Sequence, residues 1–243
     1  MNYKLDIQYD GTDYSGWQIQ NGAVAIQQKI AEAVELLIKE KINLIGSGRT
    51  DTGVHAFGQI ANFKSDQKLN ISKFHYSLNS ILPKDISVLN VAEVDESFHS
   101  RFDAKSRAYF YLISTGKSPF FNKYSHELRW IHEADFAKLN DLSKLLIGKH
   151  DFSSFAKKNE EIKNKFCEIS EIHWHKGKQI CWFYIKADRF LHGMVRAIVG
   201  TLLFAAKNNF DENYINSILE AKNREAAHEA APAKGLFLYK VRY

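Results

Sequence analysis

The chain opens on alternation. Tyr3, Leu5, Ile7 and Tyr9 take every second position, the period of a strand with one buried face. In VAIQQKIAEAVELLIKE the period lengthens, and Ile26, Ile30, Ala33, Val34, Leu37 and Ile38 fall on one helical stripe. Two β-like pieces, around 42–46 and 54–63, flank a glycine-rich loop. Residues 71–82 set Ile71, Phe74, Leu78 and Ile81 on a helical face that Pro83 ends, and ISVLNVAEV (86–94) reads as a strand. The order is β-α-β-β-α-β.

After a junction near 95–103 the order recurs. AYFYLIST (108–115) is strand-like, and FAKLNDLSKLLIG (136–148) is helical with a glycine stop. Strands follow around 167–175 and 180–187, then an apolar helix at 190–206 and a short helix near 211–222. LFLYKVRY closes the chain as a β pattern. This recurrence predicts an α+β fold of two ferredoxin-like (βαββαβ) halves, residues 1–102 and 103–243, each an antiparallel sheet with helices on one face. The duplication rests on element order, since the halves share no evident sequence identity. KKNEEIKNK (157–165) reads as an exposed connector.

Composition narrows the classes. With 243 residues, 45% hydrophobic and 13% aromatic, the chain can bury a sizeable core, which excludes wholesale disorder. The net charge of +5 is uneven. Residues 1–102 hold 10 Lys+Arg against 12 Asp+Glu, a net of −2; the rest hold 33 − 10 = 23 against 28 − 12 = 16, a net of +7. A basic second half suits a polyanion such as nucleic acid, and a solvated lysine-rich surface suits the same numbers. Two cysteines, Cys167 and Cys181, without a CxxC pair exclude a disulfide framework and fit a reduced, cytoplasmic setting. MNYKLDIQYD carries no basic-then-apolar leader, and FLHGMVRAIVGTLLFAA (190–206) is short for a membrane span and holds His192 and Arg196. No membrane partner is expected.

Three places could carry chemistry. In GSGRTDTGVH (46–55), Asp51 reads either as the carboxylate of an Asx-turn or as a reactive group held out on a loop. A phosphate cradle fits poorly, because the Gly-Lys-Ser/Thr ending is missing and an aspartate repels phosphate. Arg196 sits in an apolar helix with Gly193 and Gly200 on its stripe. It either snorkels to water above tightly packed glycines or lies in a cleft and needs a carboxylate, for which Asp51 is a candidate. Tyr109 and Tyr111 share one strand face, as core or as a stacking surface for a base. His173 and His175 share another without a third ligand, so no metal is expected.

Seven blocks together resemble a known family: YDGTDYSGWQ (9–18), GSGRTDTGVHAFGQIANF (46–63), LNSILPKDI (78–86), FHSRFDAKSRAYFYLI (98–113), GKHDFSSF (148–155), DRFLHGMVRAIVGTLL (188–203) and APAKGLFLYKV (231–241). In order and content they are similar to the tRNA pseudouridine synthase A family, from about residue 9 to the end. The resemblance implies ferredoxin-like halves meeting at a basic cleft, a cytoplasmic homodimer, no cofactor, and tRNA as partner. It implies isomerisation of uridine to pseudouridine in the anticodon stem-loop, at tRNA positions 38, 39 and 40. By motif it makes Asp51 the catalytic aspartate, Tyr109 the tyrosine stacked on the target base, Arg196 the basic partner of the aspartate, and Arg49 a substrate-facing residue. The glycosidic C–N bond breaks, the uracil turns, and C5 bonds to C1′ of the same ribose. Asp51 serves that route as nucleophile or as base.

The chain departs from the family pattern at Glu168 in FCEIS, at Ala230 in EAAP, and in VAIQQKI, which keeps Gln27 without the usual glycine. These changes bear on which uridines are reached. A paralogue with another RNA target and a non-catalytic RNA-binding protein are the rival expectations; retention of Asp51, Tyr109 and Arg196 together argues against the second.

Overall fold

Phase for phase with the alternation, β1 (Asn2–Tyr9) buries Tyr3, Leu5, Ile7 and Tyr9 on one face. It is followed by α1 (Ile26–Ile38), β2 (Ile45–Gly46), β3 (His55–Lys64), α2 (Ile71–Ile81) and β4 (Ile86–Val94). Then come β5 (Ser106–Ser114), β6 (His126–Glu127), α3 (Phe136–Lys144), β7 (Gly148–Asp151), β8 (Phe166–His175) and β9 (Ile180–Ala187). Helices α4 (Met194–Lys207) and α5 (Glu212–Ala221) and strand β10 (Leu236–Arg242) complete a mixed α+β chain whose strands pair mostly antiparallel. The structure is a computed structural model that describes residues 1–157 and 164–243. Most of the polar stretch expected at 157–165 as an exposed connector lies outside the described residues.

Two compact units emerge: Met1–Lys105 together with Phe237–Tyr243, and Ser106–Leu236. In the first, β1 runs antiparallel between β3 and β4, while β3 takes β2 on its other edge. Helix α2 reaches the face of Tyr3, Leu5 and Ile7 through Phe74, where Phe63 stands 5.5 Å from Tyr3 and 6.1 Å from Phe74, ring to ring, and α1 packs on α2. Burying each such side chain contributes about 1.5–3 kcal/mol. Asn70 starts α2 by accepting the Lys73 N–H, and Leu82 ends it with an extended ψ of 146°, as the residue before a proline must.

The chain's last strand joins this first unit. Sequence order placed it with residues 103–243, but Phe237 and Leu238 pair in parallel with His55 and Ala56 of β3. Phe237 stacks on His55 at 4.6 Å and on Phe57 at 4.9 Å, and the Tyr243 hydroxyl donates to the Ser100 carbonyl.

In the second unit the strands run β5-β9-β8-β7, all antiparallel, with β6 alongside β5 in parallel. Tyr109, Tyr111 and Ile113 face inward, as do Cys181, Phe183 and Ile185. Helix α3 locks onto β8 through Asn140, which bonds both main-chain groups of Trp174, while the Trp174 indole donates to Ser143. Two expected boundaries move. The 136–148 helix stops at Lys144, and Gly148, at φ 101°, opens the unforeseen strand β7. The 190–206 helix begins only at Met194, because Gly193 precedes it in the left-handed region at φ 72°. Gly193 is therefore a cap and not, as expected, an interior glycine. Among the described residues no helix is long and apolar enough to cross a membrane.

Candidate active site

The glycine-rich loop joins β2 to β3 and is tied down at both ends. At its base, Ser47 donates to the Gln59 side chain (2.6 Å), whose amide in turn donates to the Gly48 carbonyl (3.0 Å). At its tip, the Tyr9 hydroxyl and Thr50 Oγ1 lie 2.8 Å apart in a buried bond, and the Trp17 N–H donates to the Thr50 carbonyl (3.1 Å). The Val54 N–H closes a turn back onto the Asp51 carbonyl (3.1 Å). Thr50 and Val54 are buried, Asp51 is half-exposed, and Thr52 is exposed. The loop is thus a fixed arm with Asp51 at its open end. A turn is present, and no helix follows it, so the arrangement is not a phosphate cradle.

What holds the arm is the segment from Asp10 to Gln18. Gly16 sits at φ 85°, and a Cβ there would lie 2.4 Å from the Thr50 carbonyl oxygen; only glycine fits. The Tyr14 hydroxyl donates to Asp85 at 2.7 Å. Burial, then that carboxylate, pushes the Tyr14 phenol well above its ordinary range, so it remains a donor. Arg49, exposed on the same loop as Asp51, donates through Nε to Gln18 Oε1 at 3.2 Å. Sequence reasoning passed over Tyr14, Gln18 and Asp85; the Gly-Thr-Asp-rich run GTDYSGWQ was the available sign of an ordered turn.

Tyr109 and Arg196 both belong to the second unit. Tyr109, on β5, is buried with its ring edge-on to Phe190 at 5.2 Å. Arg196 stands in the first turn of α4. Its Nε donates to the Ala231 carbonyl (2.8 Å), and the Ala231 N–H donates to the Arg196 carbonyl (2.9 Å). That two-way grip ties the ε edge of the guanidinium to the chain at Ala231. Gly200 allows it, since a Cβ would meet the Glu229 carbonyl oxygen at 2.0 Å. The buried Tyr111 hydroxyl donates to Pro232 (2.9 Å), so the segment 229–232 is strapped across the helix. Burial raises the Tyr111 phenol, and the nearby Arg196 charge opposes that rise. Among the described residues no group of three His, Cys, Asp or Glu could hold a metal ion.

A carboxylate held at the open end of a braced loop can serve as a nucleophile or a base, which is the equipment of an enzyme. Comparison with known proteins gives the class a family. The family described as tRNA pseudouridine synthase matches residues 7–103 and 142–243. The tRNA pseudouridine synthase A of Clostridium kluyveri is 43% identical over 242 residues, covering 100% of this chain and 99% of its own. Its namesake in Bacteroides fragilis is 40% identical, over 99% and 96%, and that of Bacillus pumilus 38% identical, over 100% and 99%. The chain belongs to the tRNA pseudouridine synthase family, and is by class an isomerase.

Proposed function

We propose that this enzyme isomerises uridine to pseudouridine in the anticodon stem-loop of tRNA, at positions 38, 39 and 40, with Asp51 as the catalytic carboxylate. The observation that carries the reading is the braced arm. Thr50 and Val54 are fixed on either side of Asp51, which alone among the three stays open to a ribose. Such prior fixing spares the reaction the entropic cost of orienting the carboxylate. Arg196 acts as the basic partner of Asp51, since a charge-assisted hydrogen bond orients a carboxylate. Tyr109 stacks on the target base, and Arg49 meets the RNA. Extrusion of the base from its stack costs a few kcal/mol, which phosphate contacts to basic side chains offset.

The finer architecture belongs to the same reading. The spatial order β4-β1-β3-β2 in the first unit supports a ferredoxin-like half, and the antiparallel β5-β9-β8 sheet with α3 and α4 supports a second. The net of +7 over 103–243 supports a basic cleft for tRNA. A homodimer is supported by the outer face of the second unit's sheet. There the rings of Phe110, Trp182 and Tyr184 are half-buried beside exposed His173 and His175. Two free, buried cysteines support a cytoplasmic setting; burial pushes the Cys167 thiol up to about 12.

The test is pseudouridine mapping on tRNA treated with wild type and with Asp51→Ala. Modification of the anticodon arm by wild type alone is expected. Product from both proteins would remove Asp51 from its role. Product outside the anticodon arm would point to another RNA target, and none from wild type on any tRNA to a binding protein.

A further inference from the structure

Two main-chain groups set the orientation of three side chains in the first unit, and the last of these is Arg49. Gln27 projects from α1 and is buried. The Ile19 N–H, which can only donate, lies 2.9 Å from one end of its amide, so that end is the carbonyl oxygen. The Leu44 carbonyl, which can only accept, lies 2.7 Å from the other end, so that end is the amide nitrogen. With Gln27 fixed, the Gln18 atom 2.9 Å from the Gln27 oxygen must be nitrogen. The remaining Gln18 atom, its oxygen, then points to Arg49 and accepts from Nε at 3.2 Å. Reversing either amide would set like poles together at both ends.

The consequence falls on the guanidinium. Its ε edge is tied to Gln18, while Nη1 and Nη2 have no hydrogen-bond partner among the described residues. The main chain beside it is fixed as well, through the Trp17 N–H on the Thr50 carbonyl at 3.1 Å. A free arginine has many rotamers to lose when it meets a ligand; one already held by a neutral acceptor keeps its full charge and loses fewer. An acidic residue in Gln18's place would also hold Arg49 but would cancel the charge the RNA needs. We infer that Gln18, oriented by Gln27, is a positioning residue that sets Arg49 for tRNA, with its two terminal nitrogens presented as a fork to RNA oxygens. The inference rests on the reading of this loop as the RNA-facing catalytic arm.

The test is a double-mutant cycle on Gln18→Met, which keeps length but removes the acceptor, and Arg49→Ala. Dissociation constants for tRNA at one fixed salt concentration and steady-state kinetics are measured for wild type, both single variants and the double variant, with the unfolding temperature of each. Gln18→Met is expected to weaken tRNA binding about three- to tenfold, the range for one side chain left to be ordered on binding. The loss falls on KM rather than kcat, and the unfolding temperature stays at the wild-type value. In the Arg49→Ala background the same change is expected to have no further effect. An equal loss in that background would show that Gln18 acts through the fold and would overturn the inference, as would wild-type affinity in Gln18→Met. A wild type that binds tRNA without forming pseudouridine would instead bring down the functional reading, and the binding cycle would still decide the role of Gln18.

Discussion

The arm at residues 46–55 and the first turn of α4 are each held by a second piece of chain, and the two supports differ in kind. The arm is irregular, so its main-chain groups need partners, and the Asp10–Gln18 segment supplies them through Trp17 and Tyr14. Helix α4 already satisfies the carbonyls of its first turn from within. The strap at 229–232 must therefore use the second lone pair of the Arg196 carbonyl, the Arg196 side chain and the Tyr111 hydroxyl. The glycine sits on opposite partners accordingly. Gly16 is in the support, where it lets a loop close on a loop; Gly200 is in the supported helix, where it bares a carbonyl. A braced loop can yield locally when its support is altered, whereas a helix cannot, and the strap must leave it.

Substitutions at these glycines test the difference. Alanine in place of a helical glycine ordinarily gains up to about 1 kcal/mol. At Gly200 the added Cβ would stand 2.0 Å from a main-chain oxygen, so overpacking decides the sign. Gly200→Ala is expected to cost about 2–4 kcal/mol, from overpacking and from strap hydrogen bonds, read as a lower urea midpoint. A gain would show that the strap moves aside freely. Gly16→Ala is expected to cost less stability, about 1–3 kcal/mol from its positive φ and the Thr50 contact, yet to lower turnover about a hundredfold as the arm shifts. Stability and turnover falling in proportion would erase the contrast between the two supports. Tyr111→Phe, which removes the donor to the carbonyl of exposed Pro232, is expected to cost about 0.5–1.5 kcal/mol in the same urea experiment.

Elements with a strong period were readable from the residues. ISVLNVAEV is β4 with its expected bounds, and Pro83 ends α2 within one residue of the expected place. Features that side-chain period does not encode were not readable. GKHD carries no apolar alternation, and its strand exists because Cys167–Ile169 across from it offer a ladder. The partner of the closing strand lies some 180 residues earlier in the chain, in a parallel pairing that no local pattern announces. The candidate residues Asp51, Arg49, Tyr109 and Arg196 stood out through motif and through the cost of a charge among apolar neighbours. Their supports did not. Trp17 holds Thr50 with its main chain, Gln18 and Gln27 meet only because α1 starts where it does, and Ala231 grips Arg196 across 35 residues.

The smallest effect concerns pH and singles out the strap. His126, on β6, presents its ring edge-on to Tyr111 at 6.5 Å, and its Nδ1 is buried with no hydrogen-bond partner among the described residues. Burial, followed by the charge of Lys234 two residues past the strap, holds the imidazole below its ordinary 6.5. The unfolded chain takes up this proton near that ordinary value while the folded chain resists it. Stability from this group is therefore complete at neutral pH and falls as pH drops through 6.5, levelling once the folded pKa is passed. His126→Phe keeps the ring and removes the titration, so its stability should decline less steeply between about pH 7 and 5.5. His173, lowered chiefly by burial, leaves a residual slope of the same sign. Carboxylates such as Glu35, held down by Lys41, act only below their ordinary 4.5 and stay outside that window. Equal slopes in wild type and variant would mean that folded His126 accepts its proton as readily as the unfolded chain does. The imidazole would then lie more open to water than its buried Nδ1 requires.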